Sequence, residues 1–595
     1  MDPEDLECLT KKGALTVPAP DLRDACLRSF FQHVQPCFPI LDLKSVQACV
    51  NESGPNSGKL SLLLFQAMMF VGSTWVDIRF LRKLGFLTRH AARKALHRKV
   101  RLLYDSDYED DRICLVQCLI LLTFWWEGPN ENKDAWHWIG TALSVSRTIG
   151  LHQPCAEATF SPEIARFRKR LWWTILMRDT IASFGLSRAP RIRDEDHFVD
   201  MLEVEDFDVY DTDSDFMPGT VPLLVSQQRM FARLATEMAR LCRILRRVLQ
   251  LAYPESSSGQ TASLYSSRQL TGLNKMTLPR KALDIEQLRI CDQDLDRWRK
   301  EAPEGILHCR PMVEKFDPFD KAELAHRGLL SMLYHTTLMA LHRPRILASS
   351  SVNIPTQTPA QVGQDQSRIV VRYAAIEITR IGMDFYEADL VSSLSATCLG
   401  CLLSAGISHI FDMTSTEVLI RSEGVQRLQQ SKRLLQEFSD GHIAADWCTS
   451  ILDKISTQVQ MQVPAGEDNA PQRMCGAPAR SIRVQHGDAS YSTGGGHLAM
   501  AATLDNTRGK PTSSPETNGA LTTGLGSLPG DIQFQGIDAF SQPSNPGPLV
   551  AGQPPGSPNE FTNILGLGDM WLDIAGIVNT NAEPDWIDSS TFWGN

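Results

Sequence analysis

The stretch Ser161-Pro-Glu-Ile-Ala-Arg166-Phe-Arg-Lys-Arg170-Leu-Trp-Trp173-Thr-Ile-Leu-Met-Arg178-Asp179-Thr-Ile-Ala-Ser-Phe-Gly185 carries its own punctuation. Serine is a preferred helix N-cap, and proline at the first helical position has no amide to lose. Gly185 offers a stop. Between them Trp172, Ile175, Leu176 and Asp179 recur at i, i+3, i+4 and i+7, one face of a single helix. An aspartate on so apolar a face needs a partner, an indole N–H or an arginine, and a structural lock is favoured over a ligand contact.

The same periodicity continues outward in both directions. Helices are expected at Asp21–Val34, Leu60–Trp75, Ala91–Tyr104, Arg112–Trp126 and Ala135–Ile149, the last closed by Gly150. Further helices are expected at Pro222–Leu251, Ala282–Lys300, Lys321–Leu341, Ser367–Glu387, Leu390–Phe411, Thr416–Phe438 and Ile443–Gln460. Alternating strand patterns are scarce, so the fold class is all-α, an array of packed helices. Residues 1–20 form a leader, 21–455 the helical body, and 456–595 a tail. Ser/Thr/Gly-rich inserts near 253–278 and 349–363 read as mobile loops.

The tail differs in kind. The chain holds 59 Lys+Arg against 69 Asp+Glu, a net −10, yet no base follows Lys510 while residues 511–595 carry nine acids. That leaves 59 bases against 60 acids in residues 1–510, a near-neutral body. Pro and Gly number 10 and 12 in 511–595, a signature of disorder. The fourteen cysteines follow no regular framework, which suits a reducing compartment and core thiols. The acidic N-terminus has no apolar segment of a secretion signal. The uncharged run Leu390–Phe411 holds five serines and suits a buried helix better than a lipid-facing one.

Catalytic motifs fail on inspection. Gly54-Pro-Asn-Ser-Gly58-Lys59-Leu60 is one residue short of a phosphate loop and lacks its hydroxyl. Asp211-Thr-Asp213-Ser-Asp215 lacks the glycine and glutamate of a calcium loop. Gly185-Leu-Ser-Arg-Ala189 lacks the closing glycine of a nucleophile elbow. Cys398-Leu-Gly-Cys401 and the pair Cys114 and Cys118 sit in apolar helices, where core packing is favoured over zinc. No catalytic or metal-ligating residue is assigned, and the chain is not read as an enzyme. Two basic clusters stand out: Arg79–Arg101 with nine bases, and Arg166–Arg193 with eight. A nucleic-acid or nuclear-import role competes there with a solvated helix face answering the acidic run Asp194–Asp215, and the solvated face is favoured.

Several short motifs fall in a telling order. Ala135-Trp136-His-Trp-Ile-Gly140-Thr-Ala leads to Ile149-Gly150-Leu-His152. Arg168-Lys-Arg170-Leu-Trp172-Trp173 leads to Arg178-Asp179. Then come Pro190-Arg-Ile-Arg-Asp-Glu-Asp196, Leu295-x-x-Trp298, and Leu341-His342-Arg343-Pro344. Together they resemble the regulatory middle region of fungal binuclear zinc-cluster transcription factors. Lys12-Gly-Ala-Leu-Thr-Val-Pro18 and Phe38-Pro-Ile-Leu-Asp42 resemble the cutinase transcription factor branch. Such factors carry six cysteines, C-x2-C-x6-C and a second half, ahead of this region, holding two zinc ions beside a DNA-reading helix. Before Phe38 this sequence has Cys8, Cys26 and Cys37, with no C-x2-C. No residue takes over the DNA-binding role, and the sequence reads as starting just past the zinc cluster. Zinc is expected only if an upstream cluster exists. Ser187-Arg-Ala-Pro190 also departs from the family's common Gly-Arg-Pro.

The resemblance implies a nuclear transcriptional regulator of a metabolic or biosynthetic gene set, reaching DNA through a missing module or a partner, as a homo- or heterodimer with a zinc-cluster factor. Independently, Phe561, Leu565, Trp571, Trp586, Phe592 and Trp593 alternate with acids in 559–595, as in segments that fold onto the transcription machinery or a coactivator. A clasp folded back onto the body is the competing role. Two other functions stay open: an inhibitor that sequesters a full-length relative, and a metabolite sensor or enzyme with a cavity near Trp172 and Trp173.

Overall fold

The computed structural model describes residues 2–43, 46, 60–126, 128, 131–155, 160–186, 188–207, 209, 224–253, 285–310, 316–348 and 359–462. These residues form helices and connecting turns, with no strand among them. In chain order the helices are α1 (Pro3–Lys11), α2 (Pro20–His33), α3 (Leu62–Gly72), α4 (Ile78–Lys83), α5 (Arg89–Asp105), α6 (Arg112–Leu122), α7 (Ala135–Thr148) and α8 (Pro162–Gly185). They continue as α9 (Val225–Ala252), α10 (Ile285–Glu301), α11 (Pro318–Ala348), α12 (Pro359–Glu387), α13 (Thr397–Asp412), α14 (Val418–Phe438) and α15 (Ile443–Gln462).

The quoted stretch is the pillar of the body. Ser161 caps α8 by accepting from the Ile164 amide at 3.4 Å, and every residue from Arg170 to Phe184 is buried. Helix α8 packs on α7, α9 and α13, while α11 packs on α9, α12 and α2, so the array closes on itself around one apolar core. Gly150 closes α7 with φ +68, a left-handed conformation that suits glycine.

Several boundaries differ from expectation, each for a local reason. The leader holds α1, whose Leu9 is buried in the core. Helix α12 begins at Pro359, inside the stretch expected as a loop insert to 363. Helix α15 runs to Gln462, past the boundary expected at 455, because Leu452, Ser456 and Val459 keep one face buried. The expected helix Leu390–Phe411 splits into a 3-10 turn, Val391–Ser393, and α13, with Ser395 accepting from the Thr397 amide at 3.3 Å. Short hydroxyl side chains compete there for backbone groups. Among the described residues no helix is long and apolar enough to cross a membrane. The phosphate-loop lookalike at 54–59, the acidic repeat 211–215, residues 254–278 of the first insert, and the tail from 463 with its six candidate activation residues lie outside the described residues.

The largest surprise concerns Pro344. The expected helix stops at Leu341, whereas α11 continues through Pro344 to Ala348. Proline cannot donate to the carbonyl four residues back, that of Ala340. The Tyr253 hydroxyl donates to that carbonyl at 2.9 Å, from the end of α9. Tyr253, expected to open a mobile insert, is therefore buried, and burial pushes its phenol up to about 12. Tyr253→Phe is expected to cost about 1–3 kcal/mol by orphaning a buried acceptor. Chemical denaturation checks this, and an unchanged midpoint would mean the carbonyl has found another donor.

Candidate functional site

The second basic cluster turns largely inward, against the solvated-face expectation, whereas the first buries Arg93 and keeps Arg79, Arg82, Lys83, Lys94 and Arg98 exposed, as a solvated face would. The last carbonyls of a helix have no partner within it, and a guanidinium can donate to several at once. Arg178 donates to the Thr123 hydroxyl at 2.9 Å and the Thr123 carbonyl at 3.0 Å, beyond the end of α6. Arg168 reaches the Ile149 carbonyl past α7 at 2.6 Å. Arg93 bridges the carbonyls of Phe124 at 2.8 Å and Gly441 at 2.7 Å. Arg343 reaches toward the Ser404 carbonyl at 3.4 Å, and Arg170 donates to the Asp206 carbonyl. Burial pulls Arg93, Arg178 and Arg343 down to about 10, which leaves all three charged at neutral pH. Aromatic faces complete their surroundings: the Arg178 guanidinium lies 4.2 Å from the Phe124 ring centre.

Asp179 is a lock, with partners other than those expected. Its carboxylate accepts from the backbone amides of Arg191 and Ile192 at 3.0 and 3.1 Å, just past the buried Pro190. Burial pushes the Asp179 carboxyl up to about 6, with the two amides and nearby Arg246 pulling the other way. The segment pinned this way runs back along α8. The Trp173 indole donates to the Asp200 carbonyl at 2.7 Å, and the Phe198 amide to the His152 carbonyl at 3.1 Å. Asp196 accepts from the Arg193 amide at 3.0 Å and pairs with Arg147 at 3.3 Å. The Arg191 guanidinium lies over Trp136, 3.2 Å from the ring centre, in a notch left by Gly140. Trp136, Gly150, His152, Arg170, Trp172, Trp173, Asp179, Pro190 and Asp196 thus gather around one helix.

The remaining motif residues lie on a second set of helices. His342 bridges the Ser367 hydroxyl at 3.2 Å and Asp292 at 3.1 Å, and Arg345 pairs with the same aspartate at 2.6 Å. Trp298 stacks on Tyr334 with 5.5 Å between ring centres.

A cavity of about 470 Å³ opens between α9, α10 and the segment near Asp194, within the range of small-molecule sites. It lies against Trp298 and away from Trp172 and Trp173, whose rings are wholly packed in the core. On α9, Glu237, Arg240, Ile244 and Arg247 share one face; on α10, Asp294, Arg297, Trp298 and Glu301 do. Arg247 pairs with Asp294 at 3.3 Å, whereas Glu237 neighbours Trp298 and Glu301, so the two helices run antiparallel. The Trp298 N–H faces the Glu237 carboxylate short of hydrogen-bond geometry. Burial, with Glu301 nearby, holds Glu237 above the usual carboxylate range against the pull of Arg240. This charged stripe has its i, i+3, i+4 spacing on α10 in plain view in the sequence, but no catalytic or ligand motif singles it out.

The site holds no arrangement for covalent chemistry or metal binding among the described residues. No three His, Cys, Asp or Glu side chains cluster there to hold an ion. Burial pushes the thiols of Cys26, Cys37 and Cys448 up to about 12 and those of Cys291 and Cys401 to about 11, so they pack as apolar groups.

Comparison with known proteins agrees with this architecture. Residues 27–300 match the fungal specific transcription factor domain. The chain is 35% identical over 476 residues to cutinase transcription factor 1 beta of Fusarium vanettenii, covering 78% of this chain and 52% of that protein. It is 29% identical over 433 residues to transcription factor cpaR of Aspergillus oryzae, covering 70% and 68%. With the acetamidase regulatory protein of Aspergillus fumigatus it shares 26% over 343 residues, 57% and 37% of the two chains. The chain spans about half the length of the first of these. From Trp136 through the α8 lock to Trp298, the ordered motifs fall within the matched residues, and residues 27–300 fit the middle-homology domain of fungal transcription factors.

Proposed function

We propose that this chain is the regulatory body of a fungal, nuclear transcriptional regulator, controlling a metabolic or biosynthetic gene set. The observation that carries it is the domain match over residues 27–300. Arg93, Arg168 and Arg178 are committed to helix-end carbonyls and are not offered to phosphates. Contact with a promoter then runs through a zinc-cluster module, in the same protein or in a dimer partner. The relatives regulating cutinase and acetamidase, by their names, support a metabolic target class. The acid-and-aromatic segment 559–595 supplies the contact with coactivator or transcription machinery.

Tethering tests this directly. The chain fused to a foreign DNA-binding domain is expected to activate a reporter, and removal of residues 511–595 to abolish that activation. A fusion that leaves the reporter silent would sink the activation claim. A sequence-specific footprint by the unfused, purified chain would sink the claim that DNA contact comes from another module.

A further inference from the structure

The charges of the α9–α10 cavity are not evenly mixed. At one end stand Arg243, Arg247 and Arg297, with Asp294 as the carboxylate that Arg247 and Arg297 share. Asp194 also lines that end, and it is neutralised from behind by the buried Arg246. At the other end stand Glu237 and Glu301, opposed by Arg240 alone, which pairs with Glu237 at 2.8 Å. Arg243 and Glu301 make no ion pair or hydrogen bond among the described residues, so each end keeps one uncommitted charge of opposite sign. Between the ends lie Trp298, Met201 and Ile244.

We infer that this cavity binds a small two-ended zwitterion, with its carboxylate at Arg243 and its ammonium at Glu301, across the Trp298 indole. Along either helix the charged ends lie about 10 Å apart, at 1.5 Å per residue. A linear tripeptide, at about 3.3 Å per residue, has its termini at that separation. A dianion would place a carboxylate beside Glu237 and Glu301. A dication would place an ammonium among three arginines. Guanidinium–carboxylate pairing fixes the acid end by paired hydrogen bonds, and Trp298, Met201 and Ile244 give the middle of the ligand an apolar border. The inference is independent of the transcriptional role, because binding is read on the purified chain without DNA.

Calorimetry on the full chain at low ionic strength, with trialanine as the probe, decides it. Trialanine is expected to bind saturably, and N-acetyl-trialanine and trialanine amide at least tenfold more weakly. Arg243→Gln is expected to remove the preference for free acid over amide, and Glu301→Gln the preference for free amine over acetyl. Both side chains are exposed, so the variants should melt with the parent. No binding at millimolar trialanine, equal binding of the blocked peptides, or unchanged preferences in folded variants would each overturn the assignment.

Discussion

Lowering the pH from 7 to about 5 is expected to unfold the helical body, because four buried histidines are held neutral. Burial pushes His97 and His409 down to about 3, and His326 and His335 to about 4. His97 is stacked on Trp125 with 4.4 Å between ring centres, and Arg93 and Arg101 disfavour its charged form further. His409 sits 2.8 Å from the Thr379 hydroxyl, and His326 lies 3.1 Å from the Gln32 carbonyl oxygen. In the unfolded chain each ring titrates near 6.5. Below that value the unfolded state binds protons that the folded state refuses, so stability falls as the pH drops toward the folded values. At pH 5 each histidine costs about 2 kcal/mol, and four together approach the about 5–15 kcal/mol that holds a domain folded. Helical circular dichroism against pH is the measurement. His97→Phe, which keeps the stack on Trp125, should move the transition to lower pH. A body still helical at pH 4 would refute this account.

Asp179 works in the opposite sense. Its folded value of about 6 lies above the ordinary 3.8, so its ionisation weakens the fold as the pH rises between those values.

The second large effect is expected at Trp172. Trp172→Ala removes a wholly buried indole from between His152 and His197 and should cost about 3–5 kcal/mol. Its N–H has no hydrogen-bond partner among the described residues, so Trp172→Phe breaks no bond seen there and costs only packing. The neighbouring Trp173 donates to the Asp200 carbonyl, so Trp173→Phe loses that bond besides packing and should be the more damaging of the two Phe changes. Urea denaturation of the two variants ranks them. The reverse order would mean that the Trp173 bond adds little beyond packing.

Helix α8 was legible because cap, first-turn proline, apolar face and closing glycine all lie within 25 consecutive residues. Local signals of this kind also placed α7 and its glycine stop. The partners of the arginines were not legible. Arg178 and Thr123 are 55 positions apart, and a run of bases looks the same whether it faces water or another helix's end. Asp179 was recognisable as a lock from its apolar face, but backbone amides leave no trace in a sequence, so its partners were misjudged. Pro344 misled for a related reason: the residue that makes its helix continuous, Tyr253, belongs to a different helix. The cavity was sought beside the conspicuous pair Trp172 and Trp173, yet adjacent large rings on an all-buried helix fill space, and a solitary ring on an amphipathic one can border it.

Arg191 and Gly140 carry a consequence for descent. A methyl group at position 140 would stand 2.9 Å from the guanidinium carbon and evict it from the Trp136 face. Lysine at 191 could not lie flat there, since an ammonium has no plane to stack. Either change alone ends the stack on Trp136, while the backbone amides that Asp179 holds stay in place. The two residues, 51 positions apart in the chain, are therefore expected to vary together, and lineages that lose the glycine should lose the arginine with it.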